Sequence, residues 1–121
     1  WIDRRRTLAN IYHAGLMNQK AVILPRPPEN DTDDYYDIFS SYVVRVQERD
    51  ALNSHLRNNG IESFIHWPKP LHHHLKLNLK HFNLPKTEEI ALQAISLPID
   101  PELSNDQINL IIHSINDFYN N

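Results

Sequence analysis

The order of helical and extended patterns along the chain is the feature that most constrains its fold. Apolar residues at helical spacing occur in four segments, at residues 4–17, 49–59, 87–95 and 104–119. Short apolar or β-branched runs occur at residues 21–24, 42–46, 61–65 and 96–99. The two kinds of segment do not alternate regularly, as they do in a parallel α/β sheet. The sequence therefore predicts an α+β fold, in which a small antiparallel or mixed sheet is flanked by helices that pack mainly on one face.

The last helical segment carries the clearest pattern of the four. Ser104 and Gln107 have the spacing of a capping box, in which each side chain bonds the backbone N–H of the other residue. The helix that follows bears one apolar stripe, formed by Ile108, Ile111, Ile112, Ile115, Phe118 and Tyr119. Gly60 ends the second helical segment, where a left-handed residue commonly terminates a helix. We therefore predict that the stripe lies in the core and that Gly60 stops the second helix.

Composition excludes several classes of protein. A chain of 121 residues suffices for one compact domain. Its 12 Lys and Arg residues, against 15 Asp and Glu residues, lack the excess of positive charge that nucleic-acid binding requires, so we expect no nucleic-acid partner. The absence of Cys rules out disulfides, a Cys-based zinc site and a thiol nucleophile. With only two Gly residues, the chain has neither a Rossmann nor a Walker phosphate loop.

No segment of the sequence is suited to crossing a membrane. The longest uninterrupted apolar run comprises the four residues 21–24, whereas a spanning helix needs about 20. The sequence also contains no basic-then-apolar secretion signal. We therefore expect no membrane partner and a cytoplasmic location.

Histidine is abundant and unevenly spread along the chain. Five of the eight His residues lie between positions 66 and 81. Neighbouring side chains of an extended segment point to opposite faces, so His72 and His74 could converge while His73 points away. A zinc site would need a third ligand, such as His66 or His81, and the cluster contains no carboxylate. The pattern favours solvated or substrate-facing histidines, and we predict no metal site.

The segment from Gly60 to His72 is the most specific candidate for ligand recognition. An extended run leads into a loop that two prolines stiffen, and His66 and Trp67 stand at its start. A fixed imidazole and a fixed aromatic ring suit the recognition of a sugar or a planar ligand. The alternative is a rigid surface loop in which Trp67 covers the core.

Four motifs, in order along the chain, resemble one known family. They are Arg5-x-x-Leu8-Ala9-x-x-Tyr12, Tyr42-Val43-Val44-Arg45-Val46 with the helix from Arg49 to Gly60, His66-Trp67-Pro68-Lys69-Pro70-Leu71-His72, and Ser96-Leu97-Pro98-Ile99. In this order and spacing they resemble the C-terminal domain of the DegT/DnrJ/StrS-type sugar aminotransferases. These are pyridoxal-phosphate enzymes of the aspartate-aminotransferase fold. The resemblance implies the small C-terminal domain of a fold type I enzyme.

The resemblance also implies that a larger domain holds the cofactor. The lysine that forms a Schiff base with pyridoxal phosphate belongs to the family's large N-terminal domain, and none of the five Lys residues here stands in its motif. We therefore expect residues 1–121 to be a single C-terminal domain of a longer chain, without the large cofactor-binding domain. The chain alone is then expected to bind no pyridoxal phosphate, to contain no catalytic residue and to be inactive.

What the longer enzyme does follows from the same resemblance. It would transfer an amino group from an amino acid, expected to be glutamate, to a keto sugar linked to a nucleotide, and it would be a homodimer. Within this chain, the matching loop implies that His66, Trp67 and His72 contact the substrate. The alternative is a stand-alone binding or interaction module that uses the His-rich loop, with a metal ion as one of its ligands.

Overall fold

The computed structural model describes residues 1–28, 37–65 and 85–120. In chain order its elements are α1 (Ile2–Leu16), β1 (Val22–Ile23), β2 (Tyr42–Val46), α2 (Arg49–Asn58), α3 (Pro85–Gln93), β3 (Ala94–Leu97) and α4 (Asn105–Asn120). A small antiparallel sheet is thus combined with helices, and the predicted α+β class is confirmed.

The sheet is built around β2, which lies between β1 and β3 and runs antiparallel to both. Val22 pairs with Val46, and Val44 pairs with Ile95. Beyond β3, Phe64 forms an isolated antiparallel bridge with Ser96. The small sheet therefore gains one further bridged residue at the β3 edge.

The predicted third strand at residues 61–65 is reduced to this single bridge. The N–H of Ile61 donates to the Leu56 carbonyl at 2.9 Å, and the N–H of Ser63 donates to the Ile61 carbonyl at 3.1 Å. The N–H groups of Ile61 and Ser63 thus bond to carbonyls of α2 and of the segment that follows it, so they cannot pair with a neighbouring strand. The strand prediction was wrong over most of its length for this reason.

The core lies on one face of the sheet. Because side chains alternate along a strand, Tyr42, Val44 and Val46 are buried on the inner face, whereas Val43 is exposed on the outer face. The inner-face residues form one cluster with buried residues of α1, α2 and α4. That cluster includes Leu8, Leu16, Leu52, Leu56, Ile108 and Ile115. Three helices therefore cover the inner face, as the sequence predicted.

The apolar stripe of α4 packs as expected. Ile108, Ile111, Ile112 and Ile115 are buried, and Phe118 and Tyr119 pack against the core in a partly buried state. The capping box is also confirmed, since Ser104 N–H donates to Gln107 Oε1 at 2.8 Å and Gln107 N–H donates to Ser104 Oγ at 3.1 Å. Within the described ranges, no helix is long and apolar enough to cross a membrane.

One helix ends as predicted, and another does not. Gly60 has a φ of +77° and follows Asn59, the C-cap residue of α2, as a helix-stopping residue should. The helix predicted at residues 87–95 instead runs from Pro85 to Gln93, and Ala94 and Ile95 belong to β3. Pairing of Ile95 with Val44 places this side chain on the buried face of the sheet, which helical spacing alone does not reveal.

Candidate functional site

The loop predicted to contact substrate begins just after a fixed segment of the structure. His66, Trp67 and His72 lie outside the described residues, so their role stays a prediction. Phe64, two residues before His66, donates its N–H to the Ser96 carbonyl at 3.0 Å and accepts the Ser96 N–H at 2.7 Å. Ile65 packs against the core. The chain therefore enters the loop from a backbone that the β3 edge holds in place.

A cleft of about 390 Å³ opens beside this bridge. It lies between the start of α1, the turn before β2 and the turn after β3. We call it the edge cleft and define it by Arg5, Ser40, Ser41, Phe64, Asp100 and Glu102, which line it. Its volume falls within the range of ordinary small-molecule sites.

Three consecutive arginines at the start of α1 have different surroundings. Arg4 Nη2 donates to the Leu103 carbonyl at 2.8 Å and to Asn105 Oδ1 at 2.9 Å. Arg6 Nη1 donates to the Asp37 carbonyl at 2.6 Å. Arg5 lies between them in sequence and is half-buried at the edge cleft. Its N–H donates to the Trp1 carbonyl at 3.0 Å, whereas its guanidinium has no hydrogen-bond or ion-pair partner among the described residues.

Helical geometry explains why the three side chains separate. Successive residues of an α-helix project about 100° apart, so Arg4, Arg5 and Arg6 cannot share one partner. Sequence reasoning placed Arg5 in a family motif but did not single out its charge. The run of three arginines at a helix start was the signal that the sequence offered. It does not show which of the three faces the cleft, and in the structure Arg5 does.

A strained residue holds the serine turn beside Arg5. Phe39 has a φ of +51°, although it is a bulky residue for which the left-handed region is unfavourable. Its side chain is buried, and its N–H donates to Asp37 Oδ1 at 2.7 Å. Because Arg6 binds the carbonyl of the same aspartate, α1 and the turn are tied together. Ser40 and Ser41 follow at once, with exposed side chains at the cleft.

The turn after β3 contributes two carboxylates to the edge cleft. Asp100 and Glu102 are both exposed, and the N–H of Glu102 donates to Asp100 Oδ1 at 2.9 Å. Arg4 binds the carbonyl of the next residue, Leu103, so this turn is also anchored to α1. The edge cleft is thus lined by one cation, two hydroxyls and two carboxylates.

Two stacked tyrosines fix the turn behind the cleft. The rings of Tyr12 and Tyr42 lie 4.7 Å apart and nearly parallel. Tyr12 donates its hydroxyl to the Pro98 carbonyl at 2.6 Å, whereas the buried Tyr42 hydroxyl has no partner among the described residues. Burial raises the pKa of both hydroxyls, and for Tyr12 the neighbouring Tyr42 adds to this. Both therefore stay neutral, and Tyr12 acts as a structural donor.

Two of the five lysines lie within the described residues. Lys86 pairs with Glu89 at 3.4 Å, and Lys20 is exposed after α1. Neither of these lysines lines the edge cleft. Across residues 1–28, 37–65 and 85–120, no group of three His, Cys, Asp or Glu side chains could hold a metal ion. The His-rich cluster around His72 lies outside these ranges.

Comparisons with known proteins place this architecture among aminotransferases. The chain superposes with a TM-score of 0.88 on the crystal structure of DesV from S. venezuelae in complex with a ketimine intermediate. The two are 31% identical, and the match covers 100% of this chain and 32% of that one. The match covers far less of the other chain than of this one, so it concerns one domain of a larger protein.

Sequence comparison identifies the family. Residues 1–116 match the DegT/DnrJ/EryC1/StrS aminotransferase family. The chain is 34% identical to dTDP-3-amino-3,4,6-trideoxy-alpha-D-glucose transaminase of Streptomyces venezuelae, over 98% of its own length and 31% of that protein. It is 33% identical to the pleiotropic regulatory protein of Geobacillus stearothermophilus, over 98% of its own length and 32% of that protein. The chain therefore belongs to the DegT/DnrJ/EryC1/StrS aminotransferase family and spans about a third of the length of these relatives.

Proposed function

We propose that this chain is the C-terminal domain of a longer sugar aminotransferase. The longer enzyme transfers an amino group from glutamate to a keto sugar linked to a nucleotide. The observation that carries the proposal is the family match over residues 1–116. Relatives named as transaminases of dTDP-linked amino sugars, from Streptomyces venezuelae and Aneurinibacillus thermoaerophilus, support the substrate class.

In this proposal the chain contributes substrate contacts and no covalent chemistry. Pyridoxal phosphate, bound by the large domain of the longer enzyme, supplies the electron sink for amino transfer. His66, Trp67 and His72 contact the sugar substrate, since an imidazole can donate to or accept from a hydroxyl group. The anchored bridge between Phe64 and Ser96 supports this role, because it limits the freedom of the chain that leads into the loop.

The remaining parts of the proposal concern the longer enzyme as a whole. It acts as a homodimer in the cytoplasm. The 121-residue chain alone binds no pyridoxal phosphate and is inactive, because none of its five Lys residues stands in the family's Schiff-base lysine motif.

The direct test uses the longer protein that contains this chain. It is incubated with pyridoxal phosphate, L-glutamate and a nucleotide-linked keto sugar, and mass spectrometry follows both products. We expect an amino group in place of the keto oxygen, together with 2-oxoglutarate. Omitting glutamate, or replacing it with glutamine or alanine, identifies the donor.

The 121-residue chain provides the matched control in the same assay. It should give no product and no saturable imine absorbance with pyridoxal phosphate. If the longer protein converts none of the dTDP-, UDP- or GDP-linked keto sugars, the aminotransferase proposal is wrong, and the stand-alone binding module becomes the better description. Product formation by the 121-residue chain would contradict the assignment of catalysis to another domain.

A further inference from the structure

We propose that Asn59 is a site of spontaneous deamidation, at which the chain acquires an aspartyl or isoaspartyl residue where α2 ends. The reaction needs only water, and it does not depend on the proposed function. Asn59 is the only Asn of the sequence that is followed by Gly, and its side chain is exposed. The end of α2 controls the rate of the reaction, and the product disturbs the segment that follows.

The reaction joins the side chain of Asn59 to the backbone of Gly60. The backbone nitrogen of Gly60 loses its proton and attacks Cγ of Asn59. The bond between Cγ and Nδ2 then breaks, and Nδ2 leaves with a proton as ammonia. Water opens the resulting cyclic imide at either carbonyl: cleavage between Cγ and the Gly60 nitrogen leaves an aspartyl residue, and cleavage of the original peptide bond leaves an isoaspartyl residue. No electrons are transferred, and a neutral amide becomes a carboxylate.

Gly60 gives the attacking nitrogen the access that this reaction requires. Glycine has no Cβ, which in other residues crowds the backbone nitrogen. A Cβ placed on Gly60 would meet no atom within 4 Å, so the surrounding structure does not crowd this turn either. Attack on the Asn59 side chain is therefore limited by the conformation of the backbone and not by steric hindrance.

The folded end of α2 opposes the reaction. Asn59 has a φ of −97° and a ψ of 14°, and its Nδ2 donates to the His55 carbonyl at 2.7 Å. The attacking nitrogen is also engaged, since the N–H of Gly60 donates to the Arg57 carbonyl at 3.0 Å. Ring closure requires both hydrogen bonds to break and ψ of Asn59 to rotate. Because terminal turns of helices open at low cost in free energy, fraying of this turn sets the rate.

The product changes the end of α2 in two ways. Either acid loses the amide that donates to His55, and it adds negative charge at the C-terminus of a helix, where the helix dipole is also negative. The isoaspartyl form in addition lengthens the backbone by one methylene directly before Gly60. The N–H of Ile61 donates to the Leu56 carbonyl at 2.9 Å, and Ile61 is buried in the core. The added length therefore disturbs a connection between α2 and the core that the aspartyl form keeps.

The test incubates the longer protein that contains this chain at mildly alkaline pH, and peptide mass spectrometry follows conversion of each Asn to an acid. A protein isoaspartyl methyltransferase, which methylates the isoaspartyl product, distinguishes the two acids. We expect conversion at Asn59, with isoaspartate present, at a rate that rises with pH and with denaturant. Asn53, which precedes the small residue Ser54 inside α2, is the control within the same chain and should stay intact without denaturant.

Two outcomes would overturn the proposal. One is conversion of Asn53 as fast as that of Asn59, and the other is an intact Asn59 under conditions that convert a free peptide of residues 55–63. A rate at Asn59 that denaturant leaves unchanged would overturn control by the end of α2.

Two variants separate the reacting groups. Gly60→Asn keeps a residue type that tolerates a positive φ but places a Cβ beside the attacking nitrogen, so it should slow acid formation at Asn59 several-fold. Asn59→Gln keeps an amide but would have to close a larger ring, so it should abolish acid formation at this position. The effect of Gly60→Asn should persist in denaturant, where differences in folding no longer matter. Equal rates in Gly60→Asn and the unchanged protein would overturn attack by the Gly60 nitrogen.

Hydrogen exchange measures what the product does to the fold. After chromatographic separation of the two acids, peptides that cover α2 and the segment to Ile65 should exchange faster in the isoaspartyl form than in the aspartyl form. Asn59→Asp should reproduce the exchange of the aspartyl form. Equal exchange in the isoaspartyl and the unmodified protein would overturn the proposed disturbance of the segment after α2.

Discussion

The inner and outer sides of the sheet are occupied by different kinds of side chain. On the inner side, Tyr42, Val44 and Val46 expose 2% of their surface or less beneath the helices. On the outer side, Val43 and Phe64 expose 41% and 54%. The edge cleft opens beside Phe64. The difference indicates that stability depends mainly on the inner side and that substitutions on the outer side should affect it less.

Hydrogen bonding shows the same division among the polar residues. Tyr12, packed within the core, donates its hydroxyl to the Pro98 carbonyl. Arg5 lies on the same helix but faces the cleft, and its guanidinium has no hydrogen-bond partner among the described residues. Substitutions should therefore separate loss of fold from loss of binding, according to the side on which the residue lies.

The largest expected effect is on the inner side. Ile108→Ala should lower the free energy of unfolding by about 2–5 kcal/mol, because it leaves a cavity in the packed core. Leu110→Ala, two residues further along α4, should change it by less than about 0.5 kcal/mol, since Leu110 is 61% exposed. Denaturant unfolding measures both variants. Similar losses in the two would mean that the packing of α4 is not as the structure has it.

The close approach of α1 to α4 offers a second test of the inner side. A Cβ on Gly15 would lie 2.7 Å from Ile112 Cγ2, so Gly15→Ala should cost about 1–3 kcal/mol from overpacking. In an Ile112→Ala background the clash is gone, and the same substitution should instead stabilise the chain by up to about 1 kcal/mol through helix propensity. Thermal unfolding of the unchanged chain, the two single variants and the double variant gives the coupling free energy between the two substitutions. Additive effects on the free energy of unfolding would show that the two residues are not in contact.

The predicted substrate contact of His66 is tested in the longer enzyme. In the longer enzyme, His66→Ala should lower kcat/KM at least about tenfold, or roughly 1.4 kcal/mol of transition-state stabilisation, with little change in Tm. His113→Ala is the control, because His113 is exposed and pairs with Asp117 on its own helix. A variant with normal kinetics, or one whose lost activity follows lost stability, would make His66 structural.

The smallest expected effect compares the two stacked tyrosines. Tyr12→Phe should lower the free energy of unfolding by about 1 kcal/mol, because the bond to Pro98 is lost. Tyr42→Phe should leave it unchanged or raise it slightly, since the hydroxyl removed is buried with no partner in the described parts of the chain. Chemical denaturation at one pH resolves the difference. Equal destabilisation by both changes would show that the Tyr42 hydroxyl has a partner in solution.

Local signals in the sequence were sufficient for several elements. The capping box at Ser104 and Gln107, the stop at Gly60 and the apolar stripe of α4 all depend on residues within one or two turns of each other. Their geometry follows from backbone hydrogen bonding and helical periodicity, so the sequence alone predicts them. The family motifs are ordered strings of residues, so they too could be recognised from the sequence alone.

Only the tertiary structure decided the features that depend on distant partners. Ile95 lies in β3 because Val44 pairs with it across the sheet, although its spacing also fits a helix. Arg5 faces a cleft while Arg4 and Arg6 bind turns more than 20 residues away in sequence, and nothing local distinguishes the three. The sequence by itself determined which segments form helices and which family they resemble. The pairing of strands and the choice among three identical arginines required the fold, because each depends on contacts that no local pattern encodes.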